Sequence, residues 1–188
     1  MTNEPFDAII LAGGGGTRLG GVAKADLSLG GRRLLEVVLD AAASASQRVV
    51  VGQVAVPAGV IRTVEDPPGT GPAAGLVAGL KAITGQAPWT LVLACDQPGV
   101  ADFVPVILAA RGPAEGYCAD AGHGWQWLSA VYRSDALQAA VAGFGDPRNR
   151  SVRSLVSRLR LDRVPVTDAA VRDIDTPDDL AYWKQERP

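Results

Sequence analysis

Apolar residues along the chain fall into two alternating rhythms. Short runs rich in β-branched residues recur at 7–11, 48–51, 60–64 and 89–95. Between them, apolar positions return every three or four residues, as with Leu34, Leu35, Val38, Leu39 and Ala42. The first rhythm predicts buried strands and the second predicts helices with one inward face. Residues 89–95 are apolar throughout apart from Thr90, which predicts a central strand covered on both faces. Further helices are predicted over 34–45, 102–110, 134–142, 151–159 and 177–186, with Val152, Leu155, Val156 and Leu159 inward in the fourth. Gly71-Pro72 opens another, proline being tolerated at the first helical position. Strands are predicted at 117–120, 126–132 and 161–166, the first two joined by the turn Ala121-Gly122-His123-Gly124. Residues 25–29 with Gly30-Gly31 predict a short extended segment and turn, and 143–150 a loop. Alternating strand and helix implies an α/β fold with a mainly parallel sheet. No repeat, linker or low-complexity tract interrupts the pattern, so residues 1–188 are expected to form one domain.

The first strand runs straight into Leu11-Ala12-Gly13-Gly14-Gly15-Gly16-Thr17-Arg18, and the loop continues to Lys24. Four consecutive glycines let a ligand approach bare peptide N–H groups. Arg18 and Lys24 add two cations, so the loop suits a polyphosphate. A Walker A loop needs Gly-Lys-Ser/Thr, but Lys24 lies between Ala23 and Ala25. A dinucleotide fingerprint needs a third glycine where this chain has Arg18 or Leu19, and the second strand ends in Gly52-Gln53 rather than an acid. NAD binding is not expected.

Composition narrows the field. A formal net charge of −2 provides no field for nucleic acid or an anionic membrane. No apolar run reaches membrane-spanning length, and residues 1–6 lack the basic region of a signal peptide. Two cysteines far apart, Cys95 and Cys118, suit reduced thiols in a cytoplasmic protein. His123 is the only histidine, and no Gly-x-Ser-x-Gly accompanies it, so a triad or histidine-based zinc site has little to rest on.

Ligands of such sheets sit beyond the carboxyl ends of the strands. Asp96 ends the central strand there, where an unpaired carboxylate is costly to bury and a divalent cation such as Mg²⁺ would compensate it. Asp66 follows the 60–64 strand in a proline-rich turn, and is either a loop acid or a ligand contact. Gly69, Gly71 and Gly75 leave room for a flat ring against backbone. In Asp173-Ile174-Asp175-Thr176-Pro177-Asp178-Asp179, Thr176 and Pro177 form a good helix start, with Asp178 and Asp179 complementing the dipole.

The glycine-rich segment from Leu11 to Lys24 resembles the signature loop of nucleotidyltransferases, and within them the molybdenum cofactor guanylyltransferases of the MobA type. The resemblance covers nearly the whole chain. It implies a three-layer Rossmann-like fold of the nucleotide-diphospho-sugar transferase kind. It implies transfer of GMP from GTP to the terminal phosphate of Mo-molybdopterin with Mg²⁺, releasing pyrophosphate, and transient contact with other enzymes of cofactor biosynthesis. The alternative is a related enzyme using CTP on the same cofactor, or another NTP on a sugar phosphate.

Carried onto this chain, the resemblance makes Arg18, Lys24 and Asp96 catalytic, with Asp96 the metal ligand. It assigns nucleotide contacts to Leu11, Ala12, Gly13, Gly14, Gly15, Gly16, Thr17, Arg18 and Lys24, and to Asp66, Gly71, Pro72, Gly75 and Asp96. The segment Gly71-Pro72-Ala73-Ala74-Gly75 resembles the family's guanine-recognition segment. Gly52 stands where the family commonly has Asn, and Gln97 where its segment often reads Asp-Thr-Pro; Asp-Gln-Pro also occurs in cytidylyl-transferring relatives. The acceptor side is expected to involve Gln126, Trp127, Arg148 and Asp175. Trp125 and Trp127 share strand parity, so an inward apolar face is the competing expectation for them. Asp175 is equally read as a plain acid before the last helix.

Overall fold

Along β1 (Phe6–Leu11) the side chains divide between two cores: Ala8 and Ile10 join one apolar cluster, Ile9 and Leu11 the other. A strand covered on both faces has no need of polar alternation, which explains why Asp7 is the one polar residue among its six. The computed structural model describes residues 4–13 and 23–187. The remaining strands are β2 (Ser28–Leu29), β3 (Arg32–Arg33), β4 (Arg48–Val51), β5 (Ile61–Thr63), β6 (Trp89–Ala94), β7 (Gly116–Asp120), β8 (Trp125–Arg133) and β9 (Leu161–Pro165). Seven of them build one sheet in the order β5-β4-β1-β6-β8-β7-β9, while β2 and β3 pair as a separate hairpin. Within the large sheet β8 is antiparallel to β6 and β7, and every other pair is parallel.

Helices cover both faces. They are α1 (Leu34–Ala41), α2 (Pro72–Ala82), α3 (Val100–Ala109), α4 (Ser134–Ala142), α5 (Val152–Val156), α6 (Asp168–Val171) and α7 (Pro177–Glu186). On one face α1 and α3 contribute Leu35, Val38, Phe103 and Ile107 to the Ile10 cluster. On the other, α2, α4 and α5 contribute Leu76, Leu137 and Leu155 to the Ile9 cluster. A smaller cluster of Leu27, Leu29, Leu34, Ile174 and Trp183 fastens the β2–β3 hairpin to α7. The result is the three-layer α/β/α architecture expected from the sequence, with β6 fourth of seven strands.

Several boundaries differ from the pattern-based expectation, each for a local reason. The helix expected over 34–45 stops at Ala41, because Ser46 N–H and Gln47 C=O are claimed by the β1 ladder at Phe6 and Ala8. The helix expected over 151–159 ends at Val156, where Arg160 N–H is drawn to the Glu115 carboxylate at 2.7 Å on the way into β9. Residues 25–29 are only partly extended: Lys24–Asp26 form one 3₁₀ turn before β2. Helix α6 was not expected, although Thr167 caps it by accepting from Ala170 N–H at 3.3 Å.

Parallel neighbours β1 and β6 are in register, Leu11 opposite Ala94, and Cys95 N–H donates to Leu11 C=O at 3.1 Å. The chain leaves β1 toward β4 on one side and meets β6 on the other. This is a topological switch point, and a crevice opens beyond the two carboxyl ends.

Candidate active site

The crevice is lined from three directions. Ala12 and Gly13 leave β1, and Asp96 follows β6 after the buried Cys95. Lys24 enters from its 3₁₀ turn, where fully buried Ala25 and nearly buried Leu27 anchor the backbone on either side of Asp26. The third contributor is the segment between α6 and α7. It is held by a capping box in which the Asp179 carboxylate accepts from Thr176 N–H at 3.0 Å and from its hydroxyl at 2.7 Å. In return Asp179 N–H donates to Thr176 Oγ1. The same carboxylate accepts from Asp175 N–H at 3.3 Å, so the helix cap also orients Asp175. Those hydrogen bonds, Thr176 first and Arg172 behind it, hold Asp179 at about 2.

Lys24 Nζ donates to Asp96 Oδ2 at 2.8 Å and also to Asp175 Oδ1. Lys24 and Asp96 side chains are about one-fifth exposed and Asp175 about half. Burial alone would disfavour the ammonium. The hydrogen bonds to Asp175 and Asp96 outweigh it and raise Lys24 above its ordinary value, so Lys24 is a permanent cation at neutral pH. Asp173 joins the group: oxygens of Asp96, Asp173 and Asp175 lie within 4.8 Å of one another. Partial burial, and then the charges of Asp175 and Asp96, push Asp173 up. All three donors are hard carboxylate oxygens, the set preferred by Mg²⁺ or Mn²⁺ and unsuited to a soft metal. Cys95 next door is no nucleophile, because burial and then the Asp96 charge push its thiol up to about 12.

Of the expected site residues, the structure thus brings Lys24, Asp96 and Asp175 together. Asp173, whose signal was the Asp-Ile-Asp spacing, belongs beside them. Gly14, Gly15, Gly16, Thr17 and Arg18 lie outside the described residues. Asp66 and Arg148 line a groove of about 420 Å³ bounded by α2 and the 146–148 loop. There Arg148 is held by Asp146, its Nη2 at 2.6 Å from Oδ2. Gly71 has φ 97° and starts α2 where that loop returns, with Ala73 N–H donating to Arg150 C=O at 3.2 Å. Pro72 is the first residue of α2. Gly75 faces the sheet: a methyl group there would lie 3.4 Å from Leu11 Cδ2 and 3.7 Å from Val51 Cγ1, ordinary van der Waals contact, so helix–sheet packing does not demand a glycine here.

Trp125 and Trp127 stack with centroids 5.3 Å apart, and Arg163 lies over Trp125 at 4.9 Å. Both indoles pack against the Ile9 cluster, as their shared parity predicted. The β7–β8 ladder jumps from Cys118–Ala130 to Ala119–Gln126, so residues 127–129 have no partner on β7, while Ser129 still pairs with Leu93 of β6. Gln126 stands opposite Ala119 on the stretch between the two tryptophans.

Gly52 is explained by contact. Its φ is 155°, and a Cβ there would come 2.8 Å from Ala12 O and 2.9 Å from Ala12 C. The turn after β4 therefore presses directly on the start of the glycine-rich loop, and no side chain fits. Gly52→Ala is expected to cost about 1–3 kcal/mol through overpacking. Urea unfolding checks this, and an unchanged midpoint would show that the contact is soft.

Similarity to known proteins agrees with this geometry. Residues 8–164 match the MobA-like NTP transferase domain. A molybdenum cofactor guanylyltransferase from Acidiphilium cryptum is 37% identical over 151 residues, covering 75% of each chain. The fold matches molybdopterin-guanine dinucleotide biosynthesis protein A from Archaeoglobus fulgidus (TM-score 0.67, 22% identity, 96% of this chain and 97% of that one). It also matches 4-diphosphocytidyl-2C-methyl-D-erythritol synthase from Anaerococcus prevotii (TM-score 0.75, 14% identity, 97% and 96%). With the switch-point crevice, the lysine-bridged acids and the sequence match in accord, the chain belongs to the MobA-like NTP transferase family and is a nucleotidyltransferase.

Proposed function

We propose that residues 1–188 act as one domain that transfers GMP from GTP to the terminal phosphate of Mo-molybdopterin, releasing pyrophosphate in the cytoplasm. The observation that carries the reading is the Lys24–Asp96–Asp175 contact at the carboxyl ends of β1 and β6. The choice of guanine and of the acceptor rests on the 37% identical guanylyltransferase and on the Gly71-Pro72-Ala73-Ala74-Gly75 segment.

The acceptor phosphate attacks the α-phosphorus in line, one P–O bond forms, and the bond to the β-phosphate bridging oxygen breaks. A phosphate acceptor is already an anion, so no general base is required. The work left to the protein is positioning and relief of charge on the oxygens. Peptide N–H groups of the 13–16 loop would hold the β- and γ-phosphates, and Arg18 would share with Lys24 the stabilisation of the α-phosphate and the leaving pyrophosphate. Lys24, charged throughout the neutral range, would neutralise the α-phosphate and the leaving pyrophosphate. Asp96, Asp173 and Asp175 would hold Mg²⁺, which when bound supplies Lewis-acid stabilisation to phosphate oxygens. Gln126, Trp127 and Arg148 remain proposals for the acceptor side, and Asp66, Gly71 and Pro72 for the base side.

Base choice is tested by melting the protein with Mg²⁺ and each of GTP, CTP, UTP and ATP. GTP at a hundred times its dissociation constant should stabilise by about 2.7 kcal/mol. For a chain of this size that is a rise of roughly 5–10 °C. The strongest shift with CTP would replace the guanine reading by cytidylyl transfer, the alternative with which the Asp96-Gln97-Pro98 sequence is also compatible. Acceptor-dependent pyrophosphate release from GTP then tests the reaction itself.

A further inference from the structure

Gln97 follows Asp96 yet points inward and is only 5% exposed. A buried amide needs partners for both ends. Its Nε2 donates to Val171 C=O at 3.1 Å, and its Oε1 accepts from Ser129 Oγ at 2.6 Å. Ser129 is itself fully buried on β8, paired with Leu93 of β6 where the β7 ladder is irregular. One side chain therefore joins three pieces of chain: the turn after β6 that carries Asp96, the end of α6, and β8. Val171 lies two residues before Asp173 and four before Asp175.

Two further contacts run parallel to this tie. Ile174 N–H donates to Asp96 C=O at 2.9 Å, between the two distal acids. Gly99 sits so close to α6 that a Cβ would fall 2.6 Å from both Ala169 O and Ala170 O. The Asp96 turn and the 171–175 segment are thus seated on each other by design of their backbones, with the Gln97 amide as the side-chain clamp.

We infer that Gln97 is a positioning residue, fixing the spacing between Asp96 and the Asp173–Asp175 pair and so the shape of the cation site. The inference rests on the metal reading of those acids. Both ends of the Gln97 amide are taken up by protein groups, so it acts through Asp96 and the 171–175 backbone. Shortening it to Asn removes a methylene, so one amide cannot reach Val171 and Ser129 together.

Mn²⁺ titration followed by electron paramagnetic resonance, with no nucleotide present, reads the site directly. Gln97→Met keeps the bulk and loses both hydrogen bonds. It is expected to weaken Mn²⁺ binding about tenfold or more, the usual effect of removing a group that orients a metal ligand. Turnover should fall in step while KM for the nucleotide stays put. Thr90→Val is the control. It breaks a partly buried side-chain hydrogen bond, between the Thr90 and Ser134 hydroxyls at 2.8 Å, at the far end of β6. It should lower the melting temperature and leave Mn²⁺ affinity unchanged. Ser129→Ala, which frees only one end of the amide, should shift affinity in the same direction by less, and it decides the question if Gln97→Met does not fold. Wild-type Mn²⁺ affinity in Gln97→Met, or in Ser129→Ala where that variant decides, overturns the clamp alone. Wild-type protein that takes up no Mn²⁺ overturns the metal reading and the clamp with it.

Discussion

Asp96→Ala is expected to lower acceptor-dependent pyrophosphate release by about 10²-fold or more, the scale of losing one preorganised charge-stabilising contact. Three features put the effect there. Asp96 stands directly beyond the central strand, where its backbone is pinned by the β1–β6 ladder on one side and by Ile174 N–H on the other. Its carboxylate is the one that Lys24 meets at 2.8 Å, and it shares the acidic trio with Asp173 and Asp175. Asp96→Asn keeps the volume and one acceptor oxygen but removes the charge, so it separates geometry from electrostatics. Both variants should lose Mn²⁺ affinity along with turnover. The measurement is initial pyrophosphate release at saturating GTP, with a melting curve to show that the fold survives. Near-normal release by either variant would remove Asp96 from the chemistry.

The sequence made some of this site legible and hid the rest for identifiable reasons. Strands β1, β4 and β6 announce themselves because each is buried on both faces and reads as an apolar run with a single polar residue, Asp7, Arg48 or Thr90. Helix α7 is bounded correctly because Thr176 and Pro177 encode its start chemically. Asp96 stood out because a carboxylate after so apolar a strand demands a partner. Pattern alone does not reveal that partner. Lys24 and Asp175 are 151 positions apart, and the packing of Ile174 and Trp183 against Leu27, Leu29 and Leu34 helps bring their segments together. Gly52 looked like a missing contact in sequence. It became a steric requirement once Ala12 lay against it. Gln97 looked like a variant spelling of a family motif, because its hydrogen-bond partners, Val171 and Ser129, come from elements with no local signal linking them to it. Helix α6, four residues long, is too short to show a period, and its cap at Thr167 is the one cue the chain offers.

Lys24→Met should separate the two jobs that the lysine's position gives it. Without a nucleotide, the ammonium satisfies Asp96 and Asp175, so it competes for the same carboxylate lone pairs that a divalent cation needs. With a nucleotide bound, the same charge would face the phosphates. Methionine keeps much of the apolar stem and removes the cation. Turnover is expected to fall by about 10²-fold, as for loss of one charge-stabilising group. Mn²⁺ affinity in the nucleotide-free protein is expected to hold or rise, because the competing cation is gone and the mutual repulsion of Asp96, Asp173 and Asp175 is relieved only by the metal. Asp96→Asn loses both properties, so the two variants move Mn²⁺ binding in opposite directions while both depress the rate. Protonation does not confuse the comparison. The folded protein holds Lys24 above its ordinary value, so its charge persists through neutral pH; the stability drawn from its pairing is full there, begins to fall once pH passes the ordinary lysine value, and is gone when pH has passed the raised one. A Lys24→Met enzyme with wild-type turnover would exclude Lys24 from phosphate stabilisation. One that lost Mn²⁺ binding as fully as Asp96→Asn would mean that Lys24 holds the acids in place for the metal rather than competing with it.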